Sequence, residues 1–234
     1  IDGINSVSGG KTGLNSFQLF DNWWAWVPDD LKPHVAVHCM DNPSIDHLEQ
    51  RGLHCVNNTD WNVRTPAELW VRRISLIEAY LRLGFDVLVS DTDAIWLRSP
   101  IPVLNRIPGD VIALRGKEWS TMNAGFALYR RPFMGLMDTW KDLAKQDPHD
   151  QRTLNALFRT WQNDMNGLSH SAHIRFGTEP IVATLLPAND FTRFYHTPYV
   201  KCQTAPSTML RHPTTTMYCL HDNVVVHHNK GDIW

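Results

Sequence analysis

The chain of 234 residues has a formal net charge of -2, with 43% hydrophobic and 20% charged residues. This composition is typical of a globular protein with a sizeable core, and the length fits one α/β domain. The balanced charge, without a basic stripe, disfavours nucleic acid as a partner. No stretch approaches the ~20 consecutive apolar residues of a membrane span. Because the chain begins at Ile1 rather than Met, we expect a trimmed segment, with any membrane anchor outside it.

Alternating strands and helices in the first half predict a parallel sheet. The first strand, at Ile4–Val7, is followed by Gly9 and Gly10 in a turn that lets the backbone approach a ligand closely. A helix from Asn15 or Ser16 to about Val27 comes next. The following elements are two strands with a helix between them, at His34–His38, Pro43–Arg51 and Leu53–Val56.

The four cysteines form no Cys-x-x-Cys pair, so a zinc site is disfavoured. Cys39 and Cys55 end two predicted neighbouring strands, and Cys202 and Cys219 bracket a loop rich in Pro and Thr. Two disulfides, Cys39–Cys55 and Cys202–Cys219, would indicate an oxidising compartment. Four free thiols in a reducing cell are the alternative. The N-glycosylation sequon at 57–59 fits a secretory location.

A strong amphipathic helix is predicted over Pro66–Leu83, because its apolar residues recur on one face at Trp70, Ile74, Ile77 and Leu81. The helical period places Arg73 on this apolar side. Either its guanidinium passes the core to reach solvent, or it reaches acids or phosphates at the carboxyl edge of the sheet.

The next strand ends in two carboxylates. The apolar run Val87–Val89 predicts a buried strand, and Asp91 and Asp93 follow it, one residue apart. Open α/β sheets bind ligands at the carboxyl ends of their strands. Two hard oxygen donors there suit Mg²⁺ or Mn²⁺ and, through the metal, a diphosphate. Two solvated aspartates in a loop are the simpler interpretation.

The second half begins with strands at Val111–Leu114 and Gly125–Tyr129. Helices then start at Pro132 and after Pro148. Residues 166–216 are irregular and rich in Pro, Thr and His, and we expect loops and short strands able to hold an acceptor. A last strand at Val224–Val226 leads to His227, His228 and Asn229.

Five ordered motifs together resemble the nucleotide-diphospho-sugar transferases of glycosyltransferase family 77. The similarity spans almost the whole chain. The motifs are the Arg72-Arg73 helix ending in Leu83-Gly84-Phe85, the Asp-x-Asp segment Ser90–Pro100, Asn123-Ala124-Gly125-Phe126, Asp150-Gln151 with Asn155, and His227-His228-Asn229.

The resemblance implies a GT-A fold, with a mostly parallel central sheet flanked by helices and a smaller irregular acceptor-side part. It implies one domain over 1–234, with a nucleotide-binding half at about 1–100 and a donor-sugar and acceptor half at about 101–234. The implied reaction is metal-dependent, retaining transfer from a nucleotide-sugar to a glycan or glycoprotein. UDP-xylose, UDP-arabinose and UDP-galactose are the candidate donors, and the Golgi lumen is the implied location.

The resemblance also implies roles for individual residues. Asp93 would bind Mn²⁺ (or Mg²⁺), Asp91 would contact the metal or the ribose, and His227 would be the third protein ligand. Gly9 and Gly10 would lie near the nucleotide, and Arg73 or Lys230 would meet the departing phosphate. The residues expected to face the donor sugar or the acceptor are Asn123, Ala124, Asp150 and Gln151.

Two other functions fit parts of the pattern. Haloacid-dehalogenase-type phosphatases also carry Asp-x-Asp after an apolar strand, which would make Asp91 and Asp93 the reacting acids. Their motif ends the first strand, however, whereas here several strands precede it, and Asp110 precedes a strand rather than following one. A non-catalytic sugar-binding protein on the same fold is the second alternative.

Overall fold

The computed structural model describes residues 16–116, 121–158, 171–176, 179–187, 190–193, 200–201, 209–211, 217–219 and 224–228. Within those residues there are six α-helices: Ser16–Trp26 (α1), Asn42–Glu49 (α2), Pro66–Arg82 (α3), Ile101–Leu104 (α4), Met137–Gln146 (α5) and Asp150–Leu157 (α6). The predicted strand at Ile4–Val7, the glycines Gly9 and Gly10, and Lys230 lie outside the described residues.

The strands of the same described segments are short, apart from those of the central sheet. They are His38–Cys39 (β1), Val56–Asn57 (β2), Val87–Ser90 (β3), Ala94–Trp96 (β4), Val111–Arg115 (β5), Met122–Tyr129 (β6), Ser171–Phe176 (β7), Glu179–Leu185 (β8), Phe191–Arg193 (β9), Val200–Lys201 (β10), Met209–Arg211 (β11), Met217–Cys219 (β12) and Val226–His228 (β13).

The central sheet has five strands in the order β3-β6-β5-β8-β7. The α/β fold class expected from the sequence is therefore confirmed, but the expectation of a mostly parallel sheet is wrong for the described strands. Only β5 and β8 pair in parallel, whereas the pairs β3–β6, β5–β6 and β7–β8 are antiparallel. Residues 116–121 connect β5 to β6, and so short a connection joins antiparallel strands, because a parallel pair needs a crossover of a dozen or more residues.

The described strands also form three smaller sheets. Strand β1 pairs in parallel with β2, and β12 lies between β10 and β11. In the third, β13 lies between β4 and β9, antiparallel to β4 and parallel to β9. This last pairing brings a segment from near the end of the chain beside the segment that follows β3.

Two apolar clusters cover the opposite faces of the central sheet. Alternate residues of β5 contribute to each, with Ala113 on one side and Ile112 on the other. One cluster includes buried side chains of α3, α5 and α6, among them Ile74, Trp140 and Leu154. The other includes α1 and β4 residues such as Phe20 and Trp96. The sheet is thus packed on both faces, as in α/β proteins.

Helix α3 forms where local signals predict it. Thr65 caps its first turn by accepting a hydrogen bond from the Glu68 backbone N–H at 3.2 Å, and the Glu68 carboxylate accepts from the Thr65 N–H at 2.9 Å. Together these bonds form a capping box, with Pro66 at the first helical position. Ile74, Ile77 and Leu81 are buried, as the periodicity predicts.

Among all the residues that the structure describes, no helix is long and apolar enough to cross a membrane.

The predicted disulfide between Cys39 and Cys55 is present, with its Cα atoms 5.9 Å apart. It ties β1 to the residue that precedes β2. Cys202 of the second predicted pair lies outside the described residues, so the Cys202–Cys219 pairing stays a prediction.

Candidate active site

The end of β3 places Asp91 beside β6. Ser90 is paired with Phe126, and the Asp91 N–H donates to the Gly125 carbonyl oxygen at 2.6 Å. The chain then turns, and the Ala94 N–H donates back to the Asp91 carbonyl at 3.0 Å before β4 begins. Asp93 lies in this turn and is half-buried.

The β5–β6 pairing is interrupted at the same level of the sheet. The partner of Ala113 is Ala127, but the partner of the next residue, Leu114, is Asn123. The extra residues of β6 form a bulge, in which the Asn123 side-chain oxygen accepts a hydrogen bond from the Gly125 N–H at 2.9 Å. Bulges commonly occur next to active sites, because they redirect side chains and backbone groups.

Arg73 bridges two carboxylates that come from different elements. Its Nη1 donates to Asp91 Oδ1 at 2.7 Å, and its Nε donates to Asp150 Oδ2 at 2.6 Å. Its Nη2 also bonds to Asp150 Oδ2. The sequence left two positions open for this guanidinium, which lies on the apolar side of α3. It reaches the two acids and does not extend past the core to solvent.

This ion network is partly buried, so the positive charge of Arg73 must compensate the negative charge of the carboxylates beside it. The exposed fractions of the side chains are 22% for Arg73, 39% for Asp91 and 3% for Asp150. Burial by itself lowers the pKa of Arg73, but the attraction of Asp91 and Asp150 outweighs it and raises that pKa. Arg73 therefore carries its charge throughout the accessible pH range and compensates Asp150, which is almost completely removed from water.

Helix α6 holds the bulge in place. Gln151 Oε1 accepts hydrogen bonds from Asn123 Nδ2 at 3.1 Å and from the Ala124 N–H at 3.4 Å. Asn155 clamps the first residue of β6, donating to the Met122 carbonyl and accepting from its N–H, both at 2.8 Å. Since Asp150 and Gln151 are consecutive, the first turn of α6 touches both Arg73 and the bulge.

A buried tyrosine lies behind this network. The Tyr129 side chain is fully buried, and its hydroxyl has no hydrogen-bond partner among the described residues. Burial raises its pKa, and the negative charge of Asp150 raises it further. Sequence reasoning did not single out Tyr129, because its position depends on how α6 packs against the sheet.

An aromatic pair borders the site beside Asp150. The ring of His149 lies against the indole of Trp70, with centroids 4.5 Å apart and planes at 31°. His149 Nδ1 is 3.9 Å from Asp150 Oδ1, which is beyond hydrogen-bond distance. Both rings remain half-buried rather than fully enclosed. The periodicity of α3 pointed to Trp70 only as a core residue, and the contact with His149 could not be predicted from spacing.

The structure thus brings most of the predicted site residues together. Arg73 contacts Asp91 and Asp150, and Gln151 contacts Asn123 and Ala124. The β13 backbone places His227 opposite Ile95, two residues after Asp93. The side chain of His227 lies outside the described part of the structure. Among the residues that are described, no group of three or more His, Cys, Asp or Glu forms a metal cluster.

Ligands of α/β proteins bind at the carboxyl ends of strands, and the Asp91–Arg73 pair lies at such an end of β3, next to the β6 bulge. The chain matches the sequence profile of the nucleotide-diphospho-sugar transferases over residues 30–230, and it belongs to that family. The resemblance drawn from the five motifs is therefore confirmed at the level of the family.

Three relatives from Arabidopsis thaliana illustrate the similarity. An uncharacterised protein is 30% identical over 159 residues, covering 60% of this chain and 47% of that protein. Arabinosyltransferase XEG113 is 25% identical over 115 residues, covering 46% and 18% of the two chains. Beta-arabinofuranosyltransferase RAY1 is 36% identical over 59 residues, covering 21% and 11%. Each match spans less than half of the relative's length.

Proposed function

We propose that this chain is a metal-dependent, retaining glycosyltransferase that moves a sugar from a nucleotide-diphosphate sugar to a glycan or glycoprotein acceptor. The observation that carries the proposal is the Arg73 bridge between Asp91 and Asp150, beside the amide-rich bulge of β6. Family membership supports the same reaction class and disfavours the phosphatase alternative. The donor is a UDP-sugar, and among the candidates UDP-xylose, UDP-arabinose and UDP-galactose we favour UDP-arabinose, because two relatives are named for arabinosyl transfer.

The donor set at the end of β3 fits a divalent cation. Asp91 and Asp93 supply hard carboxylate oxygens, and neither side chain is fully buried. Mn²⁺ accepts such oxygens together with an imidazole, and His227 is our candidate for that ligand. When bound, the ion would neutralise charge that develops on the leaving diphosphate. This assignment rests on donor chemistry and on the β13 register, which puts the His227 backbone next to β4.

The protein groups have separate roles in the proposed reaction. Arg73 fixes the orientation of Asp91 and Asp150 and can offer charge-assisted hydrogen bonds to an anionic group nearby. Asn123 and the Ala124 N–H bond to Gln151 Oε1 and so orient the Gln151 amide, which can bind a sugar hydroxyl. An oxocarbenium-like transition state is expected, as in other glycosyl transfers. Asp150 and Gln151 would line the sugar face, either beside a covalent intermediate or beside an acceptor delivered from the front.

We place the acceptor on the side of Trp70 and His149. Aromatic faces pack well against the apolar faces of sugars, and this pair is partly exposed next to Asp150. The domain would be single, with residues up to about 100 binding the nucleotide and later residues binding the sugar and the acceptor. The Cys39–Cys55 disulfide supports a location in the secretory pathway, with the Golgi lumen as the proposed site.

The decisive experiment measures UDP release from a panel of UDP-sugars in the presence of Mn²⁺, with and without EDTA. We expect release from one donor and its loss when EDTA is added. Asp93→Asn should abolish that release. Asp86→Asn is a matched control, because Asp86 lies at the opposite end of β3 from Asp91 and its side chain is 55% exposed. The control should turn over at the wild-type rate.

Two results would contradict the proposal. Equal release by wild type and Asp93→Asn would remove the metal assignment. Absence of UDP binding and of UDP release across the panel would favour the non-catalytic sugar-binding alternative. Tight UDP binding without release would point instead to a missing acceptor, and adding glycan acceptors to the same panel would test that directly.

A further inference from the structure

The segment after the Cys39–Cys55 disulfide carries the chain's only Asn-x-Ser/Thr sequence that lacks proline at its middle position. It comprises Asn57, Asn58 and Thr59. The similar triplet that begins at Asn42 has Pro43 at its centre, which prevents glycosylation. The sequence therefore offers one acceptor asparagine, and the structure shows whether its surroundings suit a glycan.

The side chain of Asn57 presents its amide nitrogen and not its oxygen. Asn57 Oδ1 accepts hydrogen bonds from the Thr59 N–H at 3.0 Å and from the Thr59 hydroxyl at 2.8 Å. A backbone N–H can only donate, so these bonds identify the bonded atom as the oxygen. The amide nitrogen, where a glycan would attach, takes part in neither bond. Asn57 is exposed, as is Val56 beside it in β2.

Two independent features of this small region indicate the same compartment. Cys55 lies two residues before Asn57, and its disulfide partner Cys39 is paired with Asn57 across the parallel β1–β2 ladder. Disulfides form and persist in an oxidising lumen, and this is also where asparagine glycosylation takes place. The sequon is exposed and lies on a disulfide-linked pair of strands. Both features therefore indicate the compartment in which the modifying enzyme acts.

We infer that Asn57 is an N-glycosylation site of this protein. In the modification, Asn57 Nδ2 would attack the anomeric carbon of a lipid-linked oligosaccharide diphosphate. The bond from that carbon to the phosphate oxygen breaks as the C–N bond forms. The amide proton leaves to the released lipid diphosphate. The inference does not depend on the proposed transferase activity.

The position of the glycan suggests what it does for the fold. Val56 is a large apolar residue with 46% of its surface exposed on a short two-stranded sheet. The unpaired backbone groups of an exposed edge strand can pair with another chain. A bulky, hydrated glycan on Asn57 would hinder such pairing at β2. The sequon lies away from the candidate site. Asn58 contacts His38, and His38 contacts Tyr80, which lies about two helical turns along α3 from Arg73. We therefore expect the glycan to leave turnover unchanged.

The test is to secrete the chain from a eukaryotic host and to compare four proteins: wild type, Thr59→Ser, Thr59→Ala and Asn57→Gln. The measurement is the band shift on enzymatic removal of N-glycans. For wild type, the protein deglycosylated in heavy-oxygen water is also sequenced by mass spectrometry. We expect one glycan on wild type and on Thr59→Ser, with the heavy-oxygen label at residue 57. Thr59→Ala and Asn57→Gln should carry none.

The disulfide serves as an internal control for the compartment. Secreted wild-type protein with an intact Cys39–Cys55 bond but no glycan on Asn57 would overturn the inference. So would a glycan that persists in Thr59→Ala. If Asn57→Gln fails to fold, the Thr59→Ser and Thr59→Ala pair still decides the question, since Asn57 is unchanged in both.

Discussion

At the scale of single residues, Arg73 is the side chain that orients most of the candidate site. It compensates Asp150, a carboxylate that is only 3% exposed, and it also holds Asp91. Removing one partner of a buried ion pair leaves an uncompensated charge in the interior. Such losses typically cost about 3–5 kcal/mol.

We therefore predict that Arg73→Met lowers the free energy of unfolding by about 3–5 kcal/mol in urea denaturation. Adding Asp150→Asn to this variant should recover part of the loss, because the unpaired charge disappears. Arg72→Met is the matched control, since Arg72 is exposed and lies over the Trp61 ring at 5.1 Å. We expect the control to change stability by no more than about 0.5 kcal/mol. Equal losses in the Arg72 and Arg73 variants would contradict the prediction.

Tyr129 leads to a prediction of the opposite sign. Its buried hydroxyl has no partner within the described residues, so removing it relieves a desolvation cost. Tyr129→Phe should leave the free energy of unfolding unchanged or raise it by up to about 1 kcal/mol. Tyr80→Phe should lower it, because the Tyr80 hydroxyl bonds to His38 Nε2 at 3.0 Å. Denaturation curves of the two variants that shift in the same direction would refute this reasoning.

At the scale of elements, local signals were the most predictable part of the chain. Thr65, Pro66 and Glu68 specify where α3 begins, and the periodic apolar residues specify its buried face. The predicted strand at His34–His38 fared less well, since Lys32–His34 forms a 3₁₀ turn and β1 starts only at His38. The contact of Asp150 with Arg73 joins positions 77 residues apart, and it depends on how α6 docks. Spacing alone could not predict such a contact.

The Cys39–Cys55 bond is the covalent tie between two such elements. It closes a loop with a sequence separation of 16, for which the loss of chain entropy on unfolding corresponds to about 3 kcal/mol. We predict that replacing both cysteines by alanine lowers the free energy of unfolding by about 2–4 kcal/mol. Equilibrium denaturation without reductant measures this difference. A double variant as stable as the wild type would show that the tie is dispensable.

At the scale of the whole molecule, the mixed sheet was the main departure from expectation. Alternating strands and helices established the α/β class, but strand direction depends on the length of each connection and on which strands become neighbours. Strand β6 lies between β3 and β5, and both of its pairings are antiparallel. The bulge on which part of the candidate site depends interrupts the pairing of β6 with β5. The pattern of strands and helices therefore predicted the fold class, whereas the shape of the site could be known only from the order and direction of the paired strands.

The response of the whole fold to acid should depend on His38. Its Nδ1 donates to Asn58 Oδ1 at 2.8 Å, so the neutral ring can accept from Tyr80. Burial lowers the pKa of His38 and outweighs the opposing effect of the Asn58 bond. The unfolded chain, with a His pKa of about 6.5, then binds the proton more readily. The stabilisation is full above that pH and is lost as the pH falls below it.

We predict that His38→Gln loses less stability than the wild type when the pH is lowered from about 7.5 to about 5.5. Denaturant midpoints at the two pH values provide the comparison, so a uniform loss of stability in the variant does not affect the result. His54→Gln, at an exposed histidine, is the control and should follow the wild type. A variant whose midpoint falls as far as that of the wild type would exclude His38 as the acid-sensitive group.

The ion network at the end of β3 also has a consequence for the order in which ligands arrive. Arg73 is paired with both Asp91 and Asp150, so these two carboxylates share one guanidinium charge. A nucleoside diphosphate is itself an anion and would be repelled by these carboxylates. Association should therefore be sequential, with a divalent cation entering before the nucleotide. Calorimetric titration of UDP should show binding with Mn²⁺ present and none without it, and equal affinity in both conditions would contradict this order.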